Sequence, residues 1–515
     1  MKKSIYIVVI GLAVSIFSCA RLEEKPESFM AANEYYNTPA DAVAAVNAVY
    51  FLLNAGGNSV QTPYNTLFNT GMNFMGDDEN PGPGATNPDV RSQAVLNHSS
   101  TGLRVLQIWQ QHYAAIKKAN IAIEKIPGID FGANTQLRER LIGEAKFLRA
   151  LYYFNLVRLF GGVPLILKDL ATLEEAHSKP KRNSVAEVYA QIEKDLIEAA
   201  TVLSPFAGGA EAGRATAGAA KALLAKVYLT QRKWESAILK ANEVINGPYG
   251  YRLVDNYAEV FLPAYKNGPE HIFSAQFKSL SQGQGNNQAP RSVLTGVLGI
   301  VGSYADQVVF YSVPDPTKPG GVDRFFSVYK LYSKKDKRRN VTFVTKFQSP
   351  IDGKWYGKLN DPSVPGDSVP FFNKYWDPAN VTNLSESGAN VPIIRFSEVL
   401  LILAEAENEL NGPTGIAYDN INKVRRRAGL DDLTEGLSQN QFRDSVYLER
   451  RLEFVFEYQR WFDLIRQRDA SGNGILEESL RKVGKTNVSA KHYLFPIPQQ
   501  EIDLNPNLEQ NPGWQ

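Results

Sequence analysis

Five histidines stand at positions 98, 112, 177, 271 and 492, and Cys19 is the only thiol in 515 residues. No two histidines have the one-turn spacing of a His-Glu-x-x-His helix, so no zinc-type metal centre is expected. The stretch Val483-Gly-Lys-Thr486 ends like a phosphate-cradling loop, but Ser479 occupies the place of its first glycine, and a surface turn is expected instead. "GQGNNQ" from Gly283 lacks the third glycine of a dinucleotide fingerprint, and no Gly-x-Ser-x-Gly elbow occurs. The motifs therefore nominate no catalytic residue and no cofactor. The 54 acidic residues leave one motif-free chemistry open, a glycosidase needing two carboxyls about 5 to 10 Å apart in space.

The lone cysteine has a setting of its own. Lys2 and Lys3 precede an apolar run of 13 residues from Ile5 to Phe17, followed by small Ser18. This is the order of a secretory signal, and the run is shorter than the roughly 20 residues a membrane span needs. Ile16-Phe17-Ser18-Cys19 resembles a bacterial lipobox, which implies a signal peptide over 1–18 and a lipidated Cys19 as the first mature residue. Residues 19–32 are polar, contain Pro26, and read as a tether. Glu23-Glu24 resembles the surface-export signal of Bacteroidota lipoproteins. With no second cysteine, disulfides and cysteine metal sites are excluded from the mature chain.

Hydrophobic residues make up 43% and charged residues 21% of the chain, the balance of a globular protein. A net charge of +2 gives no nucleic-acid surface. The 24 Tyr, 26 Phe and 6 Trp suit both a large core and a surface offering flat rings to a polar, uncharged ligand.

The elements that must position any site read mainly as helices. Thr38 and Pro39 open one as N-cap and first residue, with Val43, Val46 and Tyr50 on one face. Others are expected over about 102–126, over 135–160 up to Gly161-Gly162, and after the capping box Ser184/Glu187. In Ala219–Ile245, Leu224, Ala225 and Tyr228 are followed by Ala237 twelve residues after Ala225, the spacing of a tetratricopeptide helix pair. A single clean copy of that repeat reads as a packing scaffold rather than a peptide groove. A degenerate second pair surrounds Asn411-Gly412-Pro413 and ends at Gly429. Between the pairs, from about Gly247 to Pro392, periodicity gives way to Gly, Pro, Asn and aromatics, with a hairpin expected from "VTFVTKF" and Asp352-Gly353. One charged helix is expected over about Asn440 to Arg468, pairing Glu457 with Arg460 and Asp463 with Arg466. "KKDKRR" at 334–339 reads as a solvated loop or a set of local ion pairs.

Taken together, "FLRALYYFNLVRLFGGVPLI", "VPIIRFSEVLLILAEAENELN", "INKVRRRAGL", "ERRLEFVFEYQRWFDLIR" and "LFPIPQQEIDLNPNLEQNPGW" resemble the SusD/RagB outer-membrane lipoproteins, in family order. The resemblance implies an all-α fold of about four tetratricopeptide-like pairs with a large irregular, short-hairpin insertion bearing the ligand face. The implied layout is one domain over 33–515: scaffold at about 33–246 and 392–470, insertion at about 247–391, and an extended segment at 471–515. It also implies a binding protein rather than an enzyme, on the extracellular face of the outer membrane. There it would capture glycans, or peptides in a minority of members, for a SusC-like TonB-dependent transporter. Family binding residues come from the loop after the first helices and from the insertion. On this chain those regions supply Asp77, Asp78, Asn80 and Arg91 for hydroxyls, and Tyr304, Tyr311, Trp355, Tyr356 and Trp376 for stacking.

Overall fold

A computed structural model of the chain describes residues 36–55, 61–81, 87–170, 175, 179–279, 328–344, 353, 371–377 and 387–515, with short strands between 307 and 356. Cys19, the signal region and the tether lie outside the described residues, as does Tyr304.

Thr38 starts the first helix, α1 (Pro39–Asn54), through a reciprocal box: its hydroxyl accepts from the Asp41 amide, and Asp41 accepts from the Thr38 amide at 2.8 Å. A π-helical stretch (Pro63–Met72) and a short helix, α2 (Pro88–Ala94), follow. Then come α3 (Leu103–Lys125), α4 (Thr135–Phe160), α5 (Val185–Val202), α6 (Ala217–Thr230) and α7 (Trp234–Ile245). The terminal third holds α8 (Phe396–Asn411), α9 (Gly415–Arg427), α10 (Gln439–Phe454), α11 (Arg460–Arg466), α12 (Leu476–Lys482) and α13 (Gln499–Leu504). Left-handed Gly161 (φ 73°) and Gly429 (φ 77°) stop α4 and the turn after α9 where those glycines were expected to act.

The long helices stack in sequence order: α1 on α3, α3 on α4, α4 on α5, α5 on α6, α6 on α7, α7 on α8, and α8 on both α9 and α10. This gives four tetratricopeptide-like pairs among the described residues, and the all-α expectation holds. Small side chains set the closest approach. Ala222 and Ala225 on α6 and Ala237 and Ala241 on α7 are fully buried, so the two backbones meet without intervening bulk. Helix α8 is buried through Asn408, because α7, α9 and α10 surround it, and its buried Glu398 and Glu405 are paired with Lys226, Arg450 and Arg466.

The region between α7 and α8 carries small antiparallel sheets. Its strands are β1 (Asn80–Pro81, from the earlier loop), β2 (His271–Ala275), β3 (Gln307–Val308), β4 (Tyr311–Pro314), β5 (Val322–Phe326), β6 (Phe343–Val344), β7 (Phe347–Gln348), β8 (Trp355–Tyr356), β9 (Phe371–Phe372) and β10 (Val391–Arg395). They pair as β1–β3, β2–β10, β4–β5, β6–β9 and β7–β8. The β7–β8 pair is the hairpin expected around Asp352-Gly353, with Phe347 opposite Tyr356 and Gln348 opposite Trp355.

Charge inside the molecule ties this region to the scaffold. Arg395, 1% exposed, donates to Glu457 at 2.7 Å, Glu270 at 2.5 Å and Glu453 at 2.9 Å. Lys374 reaches Glu457 at 2.7 Å, and Arg338 reaches Asp336, Glu449 and Glu453 at 2.7, 2.6 and 3.0 Å. Removing one member of such a buried set leaves an uncompensated charge, at a cost of about 3–5 kcal/mol.

Three local expectations are corrected and two are met. The 440–468 segment is two helices, because Phe456 (φ 69°) and Tyr458 (φ 57°) are left-handed and Phe456 turns into an apolar cluster with Tyr257, Phe372 and Val455. Consequently Glu457 faces Arg395 and Lys374 instead of Arg460, whereas Asp463 does accept from Arg466, at 2.7 Å. Of the two readings of the basic run, local ion pairing holds for Arg338, which is fully buried and donates to Asp336 at 2.7 Å, while Lys334, Lys335 and Lys337 are exposed. Val483–Thr486 is the surface turn expected, with Gly484 (φ 80°) and Thr486 exposed, while the Lys485 side chain turns inward and is 6% exposed. The segment after 470 is partly helical, in α12 and α13.

Candidate ligand face

The loop after the π-helical stretch is fixed from beneath before it reaches the surface. Lys485 donates to the Phe74 carbonyl and, at 2.6 Å, to the Gly76 carbonyl. Arg460 of α11 grips Asp77 in two-pronged fashion, Nε to Oδ1 at 2.6 Å and Nη2 to Oδ2 at 2.8 Å. Arg451 of α10 donates to Asp78 at 2.7 Å and to the Asp77 carbonyl at 3.0 Å. Asp77, Asp78 and Glu79 are 2%, 4% and 2% exposed.

These surroundings push the acids in different directions. Burial raises the Asp77 pKa, but the Arg451 and Arg460 guanidiniums outweigh it and hold the carboxyl below its ordinary value. For Asp78 burial prevails over Arg451, with the Asp77 charge adding to it, and the pKa is raised. Burial, then the Asp78 charge, pushes Glu79 well above the ordinary range against the opposing pull of Lys485. Lys485 is lowered to about 7 by burial, despite the attraction of Asp77, Glu79 and Asp78.

From this anchor the chain emerges as β1, where Asn80 is half-buried and stands opposite Val308, and Pro81 opposite Gln307. The two segments expected to hold ligand are thus joined in one sheet. Strand β3 also adjoins β9, and α2 packs against β1. Helix α2 begins where the Asn87 side chain accepts from the amides of Asp89 at 2.9 Å and Val90 at 3.3 Å. Arg91 lies exposed on that helix.

The nominated residues therefore separate into groups. Asp77 and Asp78 are corrected: their carboxylates are buried and held by arginines, so they support the loop and are not presented to a ligand. Asn80 and Arg91 remain at or near the surface, on neighbouring elements. Tyr311 opens β4, opposite Phe326, and Trp355 and Tyr356 form β8. Trp376 is half-buried and closes a turn in which its amide donates to the Asn373 carbonyl at 3.0 Å. That turn is pinned by Lys374, which donates to the Val455 carbonyl at 2.7 Å.

Arg451, Arg460 and Lys485 are the residues that reading the sequence missed. Their partners lie hundreds of positions away, and spacing along a helix carries no trace of such pairs. Among the described residues no group of three His, Cys, Asp or Glu side chains is gathered to hold a metal ion.

The architecture is a tetratricopeptide-like scaffold carrying an irregular face of short sheets, and comparison identifies its family. The SusD family model matches residues 269–514, and a second, described as starch-binding associating with outer membrane, matches 22–229. The chain belongs to the SusD family. It is 29% identical to SusD-like protein P2 of Formosa agariphila, over 99% of this chain and 100% of that one. A crystal structure of a SusD superfamily protein from Parabacteroides distasonis superposes with a TM-score of 0.73 at 28% identity, covering 92% of this chain and 99% of the other. A laminarin-binding SusD-like protein superposes with a TM-score of 0.71 at 28% identity, over 93% and 100%.

Proposed function

We propose that this chain is a cell-surface lipoprotein that captures oligo- or polysaccharide and passes it to a SusC-like TonB-dependent transporter, without catalysis. The observation that carries the reading is the β1–β3 pairing, which joins the loop bearing Asn80 to the insertion bearing Tyr311, Trp355 and Tyr356 in a chain of this family. The laminarin-binding relative and the family description support a glycan ligand and the outer membrane as the place.

The energetics suffice for such a role. Capture at micromolar to millimolar affinity needs about 4–8 kcal/mol, and each stacked ring adds on the order of 1 kcal/mol beyond its buried area. Two rings and a few satisfied hydroxyls reach that range. Weak binding still serves transport when the ligand is held beside the transporter, because effective concentration replaces affinity. Attachment would come from acylated Cys19, since two or three chains hold a protein on a bilayer where one is marginal.

Calorimetry of the protein lacking residues 1–19 against laminarin, starch, other polysaccharides and a peptide pool tests the reading. Saturable heat with at least one polysaccharide and none with peptides is expected. Heat with peptides alone would replace glycan by peptide, and release of reducing ends from any polysaccharide would replace capture by hydrolysis.

A further inference from the structure

A cavity of about 400 Å³ lies where the turn between α6 and α7 meets α8, α10 and the chain leaving α11, and none of its walls belongs to the β1–β3 face. The arginines that line it fall into two kinds. Arg443 is clasped by Glu409, with Nη2 2.7 Å from Oε2, and Arg466 is held by Glu405 at 3.0 Å and by Asp463 at 2.7 Å. Those two are satisfied and stiffen the wall. Arg232 and Arg468, in contrast, form no ion pair with any described residue. Arg232 Nη2 makes one long hydrogen bond, 3.4 Å to the Arg466 carbonyl, and Arg468 Nη1 donates to the carbonyls of Ile465 and Gln467 at 3.1 and 3.0 Å. Their other nitrogens keep unfilled donors. Arg232 is exposed, and Arg468 is half-buried with its free nitrogens in contact with solvent. The remaining carboxylate in the wall, Asp469, is taken up by the amides of Ser471 and Asn473, each at 2.8 Å.

Two observations say that Arg232 stands there for its charge. Its backbone turns the corner after α6 at φ 59°, a left-handed conformation that glycine adopts freely and other residues seldom do. An exposed arginine recovers none of that cost through packing. Its pKa is also lowered, by partial burial first and by the Arg468 charge next, so the two guanidiniums repel one another. Like charges held together by the fold without a counterion ask for one from outside.

The walls say what carries that counterion. Guanidiniums match carboxylate and sulfate oxygens in two-pronged fashion. A bare ion would leave most of the space empty, since the volume falls within the roughly 300–1,000 Å³ of pockets that hold organic ligands. Trp234 and Tyr447, both half-buried, line the same cavity. Gln439 and Asn440 are exposed beside them. Gln439 Nε2 is spent on the Asn408 carbonyl at 2.6 Å and Asn440 Oδ1 on Arg443, which leaves Gln439 Oε1 to accept and Asn440 Nδ2 to donate. Aromatic side chains next to a free acceptor and a free donor suit the C–H face and the hydroxyls of a sugar ring.

We propose that this cavity is a second binding site, which takes an acidic sugar unit, a uronate or a sulfated hexose, with its anionic group between Arg232 and Arg468 and its ring against Trp234. The site does not depend on the β1–β3 face or on which ligand that face holds.

The test is calorimetry of the purified protein with glucuronate, galacturonate, glucose 6-sulfate and galactose 6-sulfate, and with glucose, galactose, acetate, sulfate and N-acetylglycine as controls. Saturable heat in the millimolar range or tighter is expected from at least one acidic sugar, and the two acid types tell carboxylate from sulfate recognition. Every control should bind at least about tenfold more weakly. Arg232→Gly should weaken the acidic sugar about tenfold, the loss of a charge-assisted contact, with an unfolding temperature unchanged or raised because glycine relieves the turn. Arg468→Gln should weaken it to a similar degree. Trp355→Ala/Tyr356→Ala, which disables the ligand face under the proposed function, should leave it intact. The proposal is overturned if no acidic sugar binds, if Arg232→Gly binds like the parent, or if a control binds as tightly as the acidic sugars, which would leave a general anion site only.

Discussion

Arg460 Nε and Nη2 clasp both oxygens of Asp77 at 2.6 and 2.8 Å, joining residues 383 positions apart just before the chain rises into β1. Both ends are desolvated, so the pair resists water and salt in a way that a surface ion pair does not.

Arg460→Ala should therefore cost up to about 3–5 kcal/mol in urea unfolding, since it leaves the buried Asp77 carboxylate with Arg451 as its remaining cation. Arg460→Met with Asp77→Leu should recover much of that loss, because a buried pair replaced by apolar groups is often neutral. Polysaccharide affinity should stay low in the double variant if the pair positions β1. Full affinity in either variant would mean that β1 holds its place without this clasp.

That clasp marks the boundary of what the sequence makes legible. The helix expected over about 135–160 was readable, because Gly161 ends it locally and its apolar positions repeat at helical spacing. The α6–α7 pair was readable from the separation of Ala225 and Ala237. Asp77 and Asp78 were misassigned for the converse reason: acids in a Gly-Asn-Pro-rich loop look solvent-facing until the arginines of α10 and α11 are folded over them. Glu457 failed likewise, since a one-turn match to Arg460 presumes an unbroken helix, and Phe456 leaves the helical region to fill an apolar gap.

The rings of the insertion give a direct measure of the ligand face. Trp355→Ala and Tyr356→Ala should each lower polysaccharide affinity about fivefold, the equivalent of roughly 1 kcal/mol of stacking, with unfolding midpoints unchanged. A variant that loses several kcal/mol of stability without losing affinity would assign its ring to packing.

The scaffold makes an independent prediction. Ala225 on α6 is fully buried where α6 meets α7. Ala225→Leu should destabilise by about 1–3 kcal/mol through overpacking, whereas Ala225→Gly should lose about 1 kcal/mol through helix propensity. Tolerance of leucine in thermal unfolding would show slack between these helices that the packing does not display.

Two carboxylates near the clasp should respond to pH with opposite signs. Asp463 on α11 accepts from Arg450 at 3.2 Å and Arg466 at 2.7 Å, and although burial raises its pKa these cations bring it down to about 2. A lowered folded value contributes stability above the unfolded value near 4 and loses it as pH falls toward 2. The amount is on the order of 2 kcal/mol. Glu79 is the reverse case, pushed up by burial first and the Asp78 charge second. Its contribution is complete below the unfolded value near 4.5 and is lost as pH rises through the folded one. Glu79→Gln, which mimics the protonated acid, should therefore be more stable than the parent at about pH 8 and should flatten the decline on the alkaline side. Asp463→Asn should be less stable at neutrality and lose the acid-side slope. Urea midpoints across that pH range decide both: a Glu79→Gln protein weaker than the parent at pH 8 would mean that Glu79 is ionised and well paired in the folded protein.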